Sequence, residues 1–342
     1  MGVLFLGAGA HTAFCPDNKN LLSSFVGDNP QFNKEIDNAE KALKDYNIRS
    51  DLETVYTFLK ARSDVNQAVR QTGPWLAGLV KRSYLHEQTN LKDLLSLLES
   101  YLIDKFFIED RNRFGSIVEF YHKFIRQLAD LSEPYFPGFN PLRADIPLHI
   151  FTTNYDNLIE TYARETSVSF YDGYRQQTAG SPYYIFDERG FGHGYGILLF
   201  KLHGSVTLYK LQTGEIIMPH SKLRVGSTFL GTKVVENVMI FPVQEKFVSK
   251  NPYNTLDKLL RQQLDVEDQT CVVIGHAFND EAILNAFTDS MIRNRDLQVV
   301  LLSHDPQRIV NEKFPDFEGR IKKMRGEVKS DGTIEAQHVG LP

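Results

Sequence analysis

The last third of the sequence alternates short apolar runs with segments of helical period. Residues 270–275 and 297–302 are almost entirely β-branched or aliphatic. Between them, apolar side chains recur at the spacing of one helix face, at Ala282, Ile283, Phe287 and Met291. Because strands buried on both faces read as continuous apolar runs, this pattern predicts a parallel sheet covered by helices on both sides. We therefore expect an α/β fold built on a Rossmann-like, doubly wound parallel sheet.

The chain also opens with an apolar run, residues 2–6, which ends directly in the turn Gly7-Ala8-Gly9-Ala10. Glycine permits positive φ angles and a close backbone approach to a ligand. Such a turn after a strand places free backbone N–H groups where a pyrophosphate can bind. Thr12 takes the third glycine position of the G-x-G-x-x-G pattern. A tight strand-to-helix turn without a ligand is therefore the alternative.

Two further predicted strands end in polar residues. Residues 148–151 lead into Thr152-Thr153-Asn154-Tyr155-Asp156, and residues 196–200 lead towards Leu202-His203-Gly204-Ser205. Carboxyl ends of parallel strands meet at one edge of a sheet, where open α/β folds bind ligands. The alternative for Asp156 is a helix N-cap, and for His203 a satisfied buried histidine. His11, His276 and His304 are expected to be structural, although His11 could contact a phosphate.

The spacing of apolar residues predicts mostly helices from residue 34 to about residue 136. The expected domains are a first strand and glycine loop (1–33), a helical insertion (34–144), the rest of the Rossmann-like domain (145–325) and a C-terminal tail (326–342). Within the third segment we expect a loop at 167–196 and a β-hairpin at 206–218. The helical insertion is the candidate interface of a homo-oligomer.

Composition argues against several classes of protein. The net charge of −5 and the pI near 6.1 disfavour direct nucleic-acid binding driven by bulk charge. Two cysteines allow neither a disulfide framework nor a four-cysteine zinc site, and no H-E-x-x-H spacing occurs. No signal-peptide pattern and no run of about 18 apolar residues is present. We expect a cytoplasmic protein that uses neither a metal nor a membrane.

Four motifs taken together resemble the Sir2 (sirtuin-like) superfamily, specifically its prokaryotic SIR2-like branch. They are Gly7-Ala8-Gly9 with Pro16-Asp17, the segment from Thr152 to Asp156, Leu202 to Ser205, and Gly275-His276-Ala277-Phe278-Asn279-Asp280. These motifs extend over about residues 3 to 305, so the resemblance spans most of the chain.

The resemblance implies that the chain binds NAD+ as a substrate. It implies that Asn154 and His203 are catalytic residues beside the nicotinamide ribose and that Asp156 contacts the nicotinamide amide. It further implies a cofactor-binding set: Gly7, Ala8, Gly9 and Ala10 at the pyrophosphate, Gly275, Phe278, Asn279 and Ser303 at the adenosine half, together with Asp17 and Thr153.

The sequence departs from the sirtuin deacylases in ways that disfavour acyl-lysine binding. The four-cysteine zinc module is missing, His11 replaces the usual serine, and Asn18-Lys19 stands where deacylases have Phe-Arg. Thr152-Thr153-Asn154 replaces their Thr-Gln-Asn, as in the SIR2-like defence branch. These departures leave NAD+ chemistry intact.

The expected activity is therefore NAD+ hydrolysis to nicotinamide and ADP-ribose. Nicotinamide departs as a neutral group, so the site has to stabilise an oxocarbenium-like ribose and deliver water, with a histidine as base. The resemblance implies anti-phage defence by NAD+ depletion (abortive infection), controlled by assembly, a HerA-type ATPase, an Argonaute or another partner. The alternatives are a sensor that binds NAD+ or ADP-ribose without turnover, and a deacylase or ADP-ribosyltransferase.

Overall fold

The computed structural model describes residues 2–11, 18–45, 50–71, 88–108, 113–132, 147–192, 194–239 and 252–339. The chain divides into two compact units. The first unit comprises Met1–Cys15, Phe106–Ile240 and Glu245–Pro342, and the second comprises Pro16–Lys105 and Phe241–Gln244.

The second unit is helical where it is described. Its helices are α1 (Asn18–Asp28), α2 (Asn33–Asp45), α3 (Leu52–Gln71) and α4 (Gln88–Phe106), whose last residue belongs to the first unit. Ile36, Ala39 and Leu43 form the buried face of α2 at the spacing of a helix stripe. Helix α5 (Phe114–Ser132) falls in the predicted helical region 34–144 but belongs to the first unit.

The first unit contains two sheets and the remaining helices. Its strands are β1 (Gly2–Leu6), β2 (Leu148–Thr152), β3 (Phe170–Tyr171), β4 (Tyr174–Arg175), β5 (Tyr183–Phe186), β6 (Ile197–Lys201), β7 (Gly204–Leu211), β8 (Ile216–Pro219), β9 (Thr228–Phe229), β10 (Thr232–Met239), β11 (Thr270–Ile274), β12 (Gln298–Ser303), β13 (Ile321–Val328) and β14 (Ile334–His338). Its helices after α5 are α6 (Leu158–Thr166), α7 (Tyr253–Leu264), α8 (Glu281–Arg293) and α9 (Pro306–Lys313). No helix within the described ranges is long and apolar enough to cross a membrane.

The larger sheet has the strand order β14-β13-β12-β11-β1-β2-β6-β3. All neighbouring pairs are parallel except β13 and β14, which pair antiparallel. A predominantly parallel, Rossmann-like α/β sheet is therefore confirmed. Strand β1 lies in the middle, and the chain continues first to β2 on one side and later to β11 on the other. The order thus reverses between β1 and β11, which is where open α/β sheets form their ligand crevice.

Both faces of this sheet are buried. Along β1, Val3 and Phe5 point to one side and join a core cluster with residues of α7 and α8. Leu4 and Leu6 point to the other side and are also almost fully buried. Such burial explains why the central strands read as unbroken apolar runs rather than as alternating ones.

The smaller sheet has the order β4-β5-β8-β7-β10-β9 and is antiparallel. It contains the expected hairpin, since Tyr209 of β7 pairs with Ile217 of β8. Residues 167–196, expected as a loop, contain β3, β4 and β5. Residues 326–339, expected as a tail, complete β13 and form β14. The strands β3, β4, β5 and β14 have only two to five residues each, which is too few for a readable period.

Candidate functional site

The glycine turn after β1 lies at the point where the strand order reverses, packed against the loop that follows β11. Gly7 N–H donates to Ile274 O (2.9 Å) and Gly9 N–H donates to Gly275 O (3.1 Å). A Cβ on Gly7 would lie 2.6 Å from Gly275 O, a distance at which something has to shift. Gly7 has a φ of −103°, so it is close packing rather than a positive φ that requires glycine here.

This packing changes the expectation for the glycine turn. Free backbone N–H groups were expected for a pyrophosphate, but Ala10 N–H also donates internally, to Gly7 O (3.0 Å). Three of the four amides in the Gly7–Ala10 turn therefore already have protein acceptors, because the two loops approach each other so closely. The predicted pyrophosphate contact of these residues stays a prediction.

The segment after β2 is tied to the same turn. Thr153 N–H donates to Leu6 O (3.2 Å), and Thr152 Oγ1 both donates to Leu6 O (3.0 Å) and accepts from Asn154 N (3.0 Å). The Asn154 amide then donates to Gly7 O (3.1 Å). The structure therefore brings together Gly7 and Asn154, two of the residues that the sequence assigned to the site.

Asp156 is buried and pairs with a histidine that was expected to be structural. His11 Nδ1 lies 2.8 Å from Asp156 Oδ2 and 3.0 Å from the Asn154 amide nitrogen. Asp156 Oδ1 accepts from Leu158 N at the start of α6 (3.1 Å), but the N-cap of α6 is Asn157, so the alternative of Asp156 as the N-cap is wrong. Burial raises the pKa of Asp156, but its close contacts with His11 and Lys201 outweigh burial and leave the pKa lowered.

His203 follows β6 and also pairs with a carboxylate. Its Nε2 lies 2.9 Å from Asp280 Oδ2, and both side chains are largely buried. Asp280 Oδ1 accepts from Ile283 N (3.0 Å), so Asp280 is the N-cap of α8. Burial raises the pKa of Asp280, yet the hydrogen bond and charge of His203 leave it lowered overall.

His276 lies close to His203 and Asp280, but its contacts are those of a structural residue. Burial, followed by the proximity of His203, lowers the pKa of His276 to about 3. The His276 ring packs edge-on against Phe5 and Phe278, and its Nδ1 accepts from Phe278 N (3.2 Å). A neutral, structural role as expected from the sequence fits these contacts.

The residues predicted for the adenosine half are dispersed along the loops after β11 and β12. Phe278 is enclosed in the core between Phe287 and Phe314, so its ring offers almost no surface to a ligand. Asn279 is exposed, and Ser303 Oγ accepts from Asp305 N (3.4 Å). Asp17 lies outside the described residues. These four assignments stay predictions.

Lys201 is a buried residue of the site that sequence reasoning missed. Its Nζ donates to Glu160 Oε1 (2.7 Å), to Ser205 Oγ (3.1 Å) and to the backbone oxygen of Asp156. It thereby joins the segment after β2 to the segment that carries His203. The sequence feature that could have identified Lys201 is its place at the end of an otherwise apolar strand.

A small cavity adjoins Lys201 and Ser205. Polar and aromatic side chains line it, among them Glu160, Asp172, Tyr174 and Tyr253. Burial and the negative charge of Glu160 raise the pKa of Asp172 to about 7. The cluster therefore contains a carboxyl group that titrates near neutral pH.

Comparison with known protein families gives one match. The model of the SIR2-like domain matches residues 148–321, slightly more than half of the chain. The matched range contains Asn154, Asp156, His203 and Asp280, whereas His11 and the glycine turn precede it. No curated protein matches the chain. Within the described residues no group of three or more His, Cys, Asp or Glu side chains could hold a metal ion.

Proposed function

Because the chain belongs to the SIR2-like family, which supports an NAD-dependent enzyme, we propose that it is an NAD+ glycohydrolase. The reaction adds water across the bond between nicotinamide and ribose, so that nicotinamide, ADP-ribose and one proton are released. The steps proposed below require no metal.

The pairing of His203 with Asp280 is the observation that carries this proposal. An ionised carboxylate accepts hydrogen bonds only, so the proton between the two groups lies on His203 Nε2. His203 Nδ1 then keeps its lone pair and accepts a proton from the attacking water or from a ribose hydroxyl. Asp280 stabilises the imidazolium that forms, as in other base–carboxylate pairs.

Asn154 and Asp156 supply the remaining polar groups. The Asn154 amide orients water or a ribose hydroxyl without adding charge at the developing oxocarbenium ion. Asp156, kept ionised by His11 and Lys201, accepts from the nicotinamide carboxamide. The turn Gly7–Ala10 and the residues Asp17, Thr153, Gly275, Asn279 and Ser303 contact the rest of NAD+ in this proposal, and the enclosed Phe278 supports their loop without offering its ring to the ligand.

The test is to incubate the purified chain with NAD+ and to follow nicotinamide and ADP-ribose by chromatography. His203→Ala should abolish product, while Asp305→Asn, which changes the cap of α9, should not. Undiminished product from His203→Ala would contradict the proposal. NAD+ binding without product under every condition would favour a sensor, and product formed only with an acylated peptide would favour a deacylase.

We further propose that the enzyme acts in anti-phage defence in the cytoplasm and that assembly controls it, because unchecked NAD+ hydrolysis is toxic. A homo-oligomer, a HerA-type ATPase or an Argonaute is the proposed activator. Raising the concentration of the chain, or adding each candidate partner, should raise the rate of NAD+ cleavage per molecule of the chain. A rate that is independent of concentration and of every partner would contradict this part of the proposal.

A further inference from the structure

A buried chain of hydrogen bonds runs from helix α5 to the candidate site through His11. Tyr121 Oη lies 2.7 Å from His11 Nε2, and His11 Nδ1 lies 2.8 Å from Asp156 Oδ2. The exposed fractions are 2% for His11 and Tyr121 and 3% for Asp156. Three separate parts of the sequence therefore meet at one imidazole, which no family motif in this chain explains.

The protonation of the imidazole follows from its neighbours. Asp156 is ionised and accepts only, so His11 Nδ1 carries the proton and donates it to Oδ2. His11 Nε2 then keeps its lone pair and accepts from the Tyr121 hydroxyl. The Asn154 amide, 3.0 Å from the protonated Nδ1, directs its hydrogen to Gly7 O instead. Both ring nitrogens thereby have a hydrogen-bond partner.

The segment that this imidazole contacts has no regular structure of its own. Residues 153–157 lie between the end of β2 and the start of α6, so side-chain contacts hold Asn154 and Asp156 in place. His11 lies in the turn after β1 and touches both side chains. It therefore holds two neighbouring strand ends in one arrangement, which is how supporting residues fix the groups that contact a ligand.

We propose that His11 is a positioning residue of the site, with Tyr121 fixing its tautomer and with Asn154 and Asp156 as the groups that it places. This inference rests on the proposed NAD+ site. It assigns to His11 a role that neither the glycine turn nor the matched SIR2-like domain contains.

Three variants test the proposal by kinetics. His11→Ala should lower kcat/KM for NAD+ by about 10- to 100-fold, as is typical for supporting residues. His11→Asn should recover most of this loss, because the asparagine amide can donate to Asp156 from near the position of Nδ1. The matched control is His149→Asn, since His149 is also buried but bonds Gln263 through Nδ1 (2.8 Å) and not a residue of the candidate site.

The pH profile separates positioning from a merely structural role. His11, Lys201 and Leu158 N lower the pKa of Asp156, so removing His11 should raise it. The acid limb of kcat/KM should then move to higher pH in His11→Ala and stay in place in His149→Asn. An unmoved limb with activity within threefold of the unmodified protein, or equal losses in both variants, would overturn the proposal.

An NMR measurement that does not depend on catalysis distinguishes the positioning role of His11 from the proposed hydrolysis of NAD+. In protein labelled with ¹⁵N-histidine, His11 should give the spectrum of a ring protonated at Nδ1, and Asp156→Asn should change it. A ring protonated at Nε2 alone would overturn the inference even if NAD+ is cleaved. The expected tautomer in a protein that cleaves no NAD+ would support the network and reject the glycohydrolase.

Discussion

Asp172 should make the protein less stable as the pH rises through the neutral range. The carboxyl group has an ordinary pKa of 3.8, which burial and the charge of Glu160 raise to about 7 in the folded protein. Below pH 4 both folded and unfolded chains hold the proton, so Asp172 adds no pH dependence to the stability. Between pH 4 and pH 7 the unfolded chain loses the proton and the folded chain keeps it, so stability falls by about 1.4 kcal/mol per pH unit.

Over this range the loss amounts to about 4 kcal/mol, and above pH 7 it stays constant. Asp172→Asn removes the titration but keeps a side-chain oxygen that can accept from Tyr174 N, as Asp172 Oδ1 does at 3.0 Å. The variant should therefore match the unmodified protein at pH 4.5 to within about 1 kcal/mol and exceed it by several kcal/mol at pH 8.

Urea unfolding at a series of pH values measures this difference. Unfolding of the first unit can be followed by the alkylation of Cys271, a buried thiol in the centre of the large sheet. Peptide mass spectrometry identifies the alkylated Cys271 peptide, so the signal comes from this unit alone. Asp316→Asn, at an exposed position, is the control and should leave the curve unchanged. A stability difference that is equal at pH 5 and pH 8, or that favours the unmodified protein at pH 8, would refute the reasoning.

Three further predictions follow from the site. Gly7→Ala should lower the stability by about 1 to 3 kcal/mol and abolish the binding of ADP-ribose measured by calorimetry, because the new Cβ would lie 2.6 Å from the backbone oxygen of Gly275. The control Gly27→Ala should have neither effect, because no heavy atom lies within 4 Å of the Cβ position of Gly27. Asp280→Asn keeps a good helix cap but removes the charge, so kcat should fall by about 100-fold while the melting temperature stays within a few degrees. A decrease in kcat no larger than in Asp305→Asn would refute the role of the pairing between His203 and Asp280. Burial raises the pKa of Cys271, so the native protein should resist iodoacetamide at pH 8, and rapid native labelling would contradict its place in the core.

The central strands could be predicted because each is covered on both faces. Strands β1, β2, β6, β11 and β12 read as apolar runs that end in polar or glycine residues, and they form five of the eight strands in the large sheet. Their parallel pairing follows from the helices between them. The smaller sheet was largely missed because β4, β5 and β9 have two to four residues each, and because their pairing depends on contacts far apart in sequence.

The candidate site was only partly predictable for a different reason. Strand ends indicate which segments gather at one edge, and Asn154, Asp156 and His203 were identified in this way. Which polar groups pair there depends on loop conformation, and His11 lies 145 residues from its partner Asp156 in the sequence. The signal for His11 was its place in the turn, where a serine was expected. The pairing of Asp280 with His203 was not predicted, because an aspartate at the start of a helix is already explained as an N-cap.

The strand order shows why the pairing of His203 with Asp280 depends on the whole fold. His203 follows β6 and Asp280 follows β11, and β1 and β2 lie between these strands. Three interstrand spacings separate β6 from β11, a distance of about 14 Å. The two side chains nevertheless approach to 2.9 Å, so their loops have to reach over the ends of β1 and β2, where Gly7 and Asn154 lie. The pair of His203 and Asp280 therefore lies near the glycine turn and Asn154, which supports the proposal that these residues act on one bound dinucleotide.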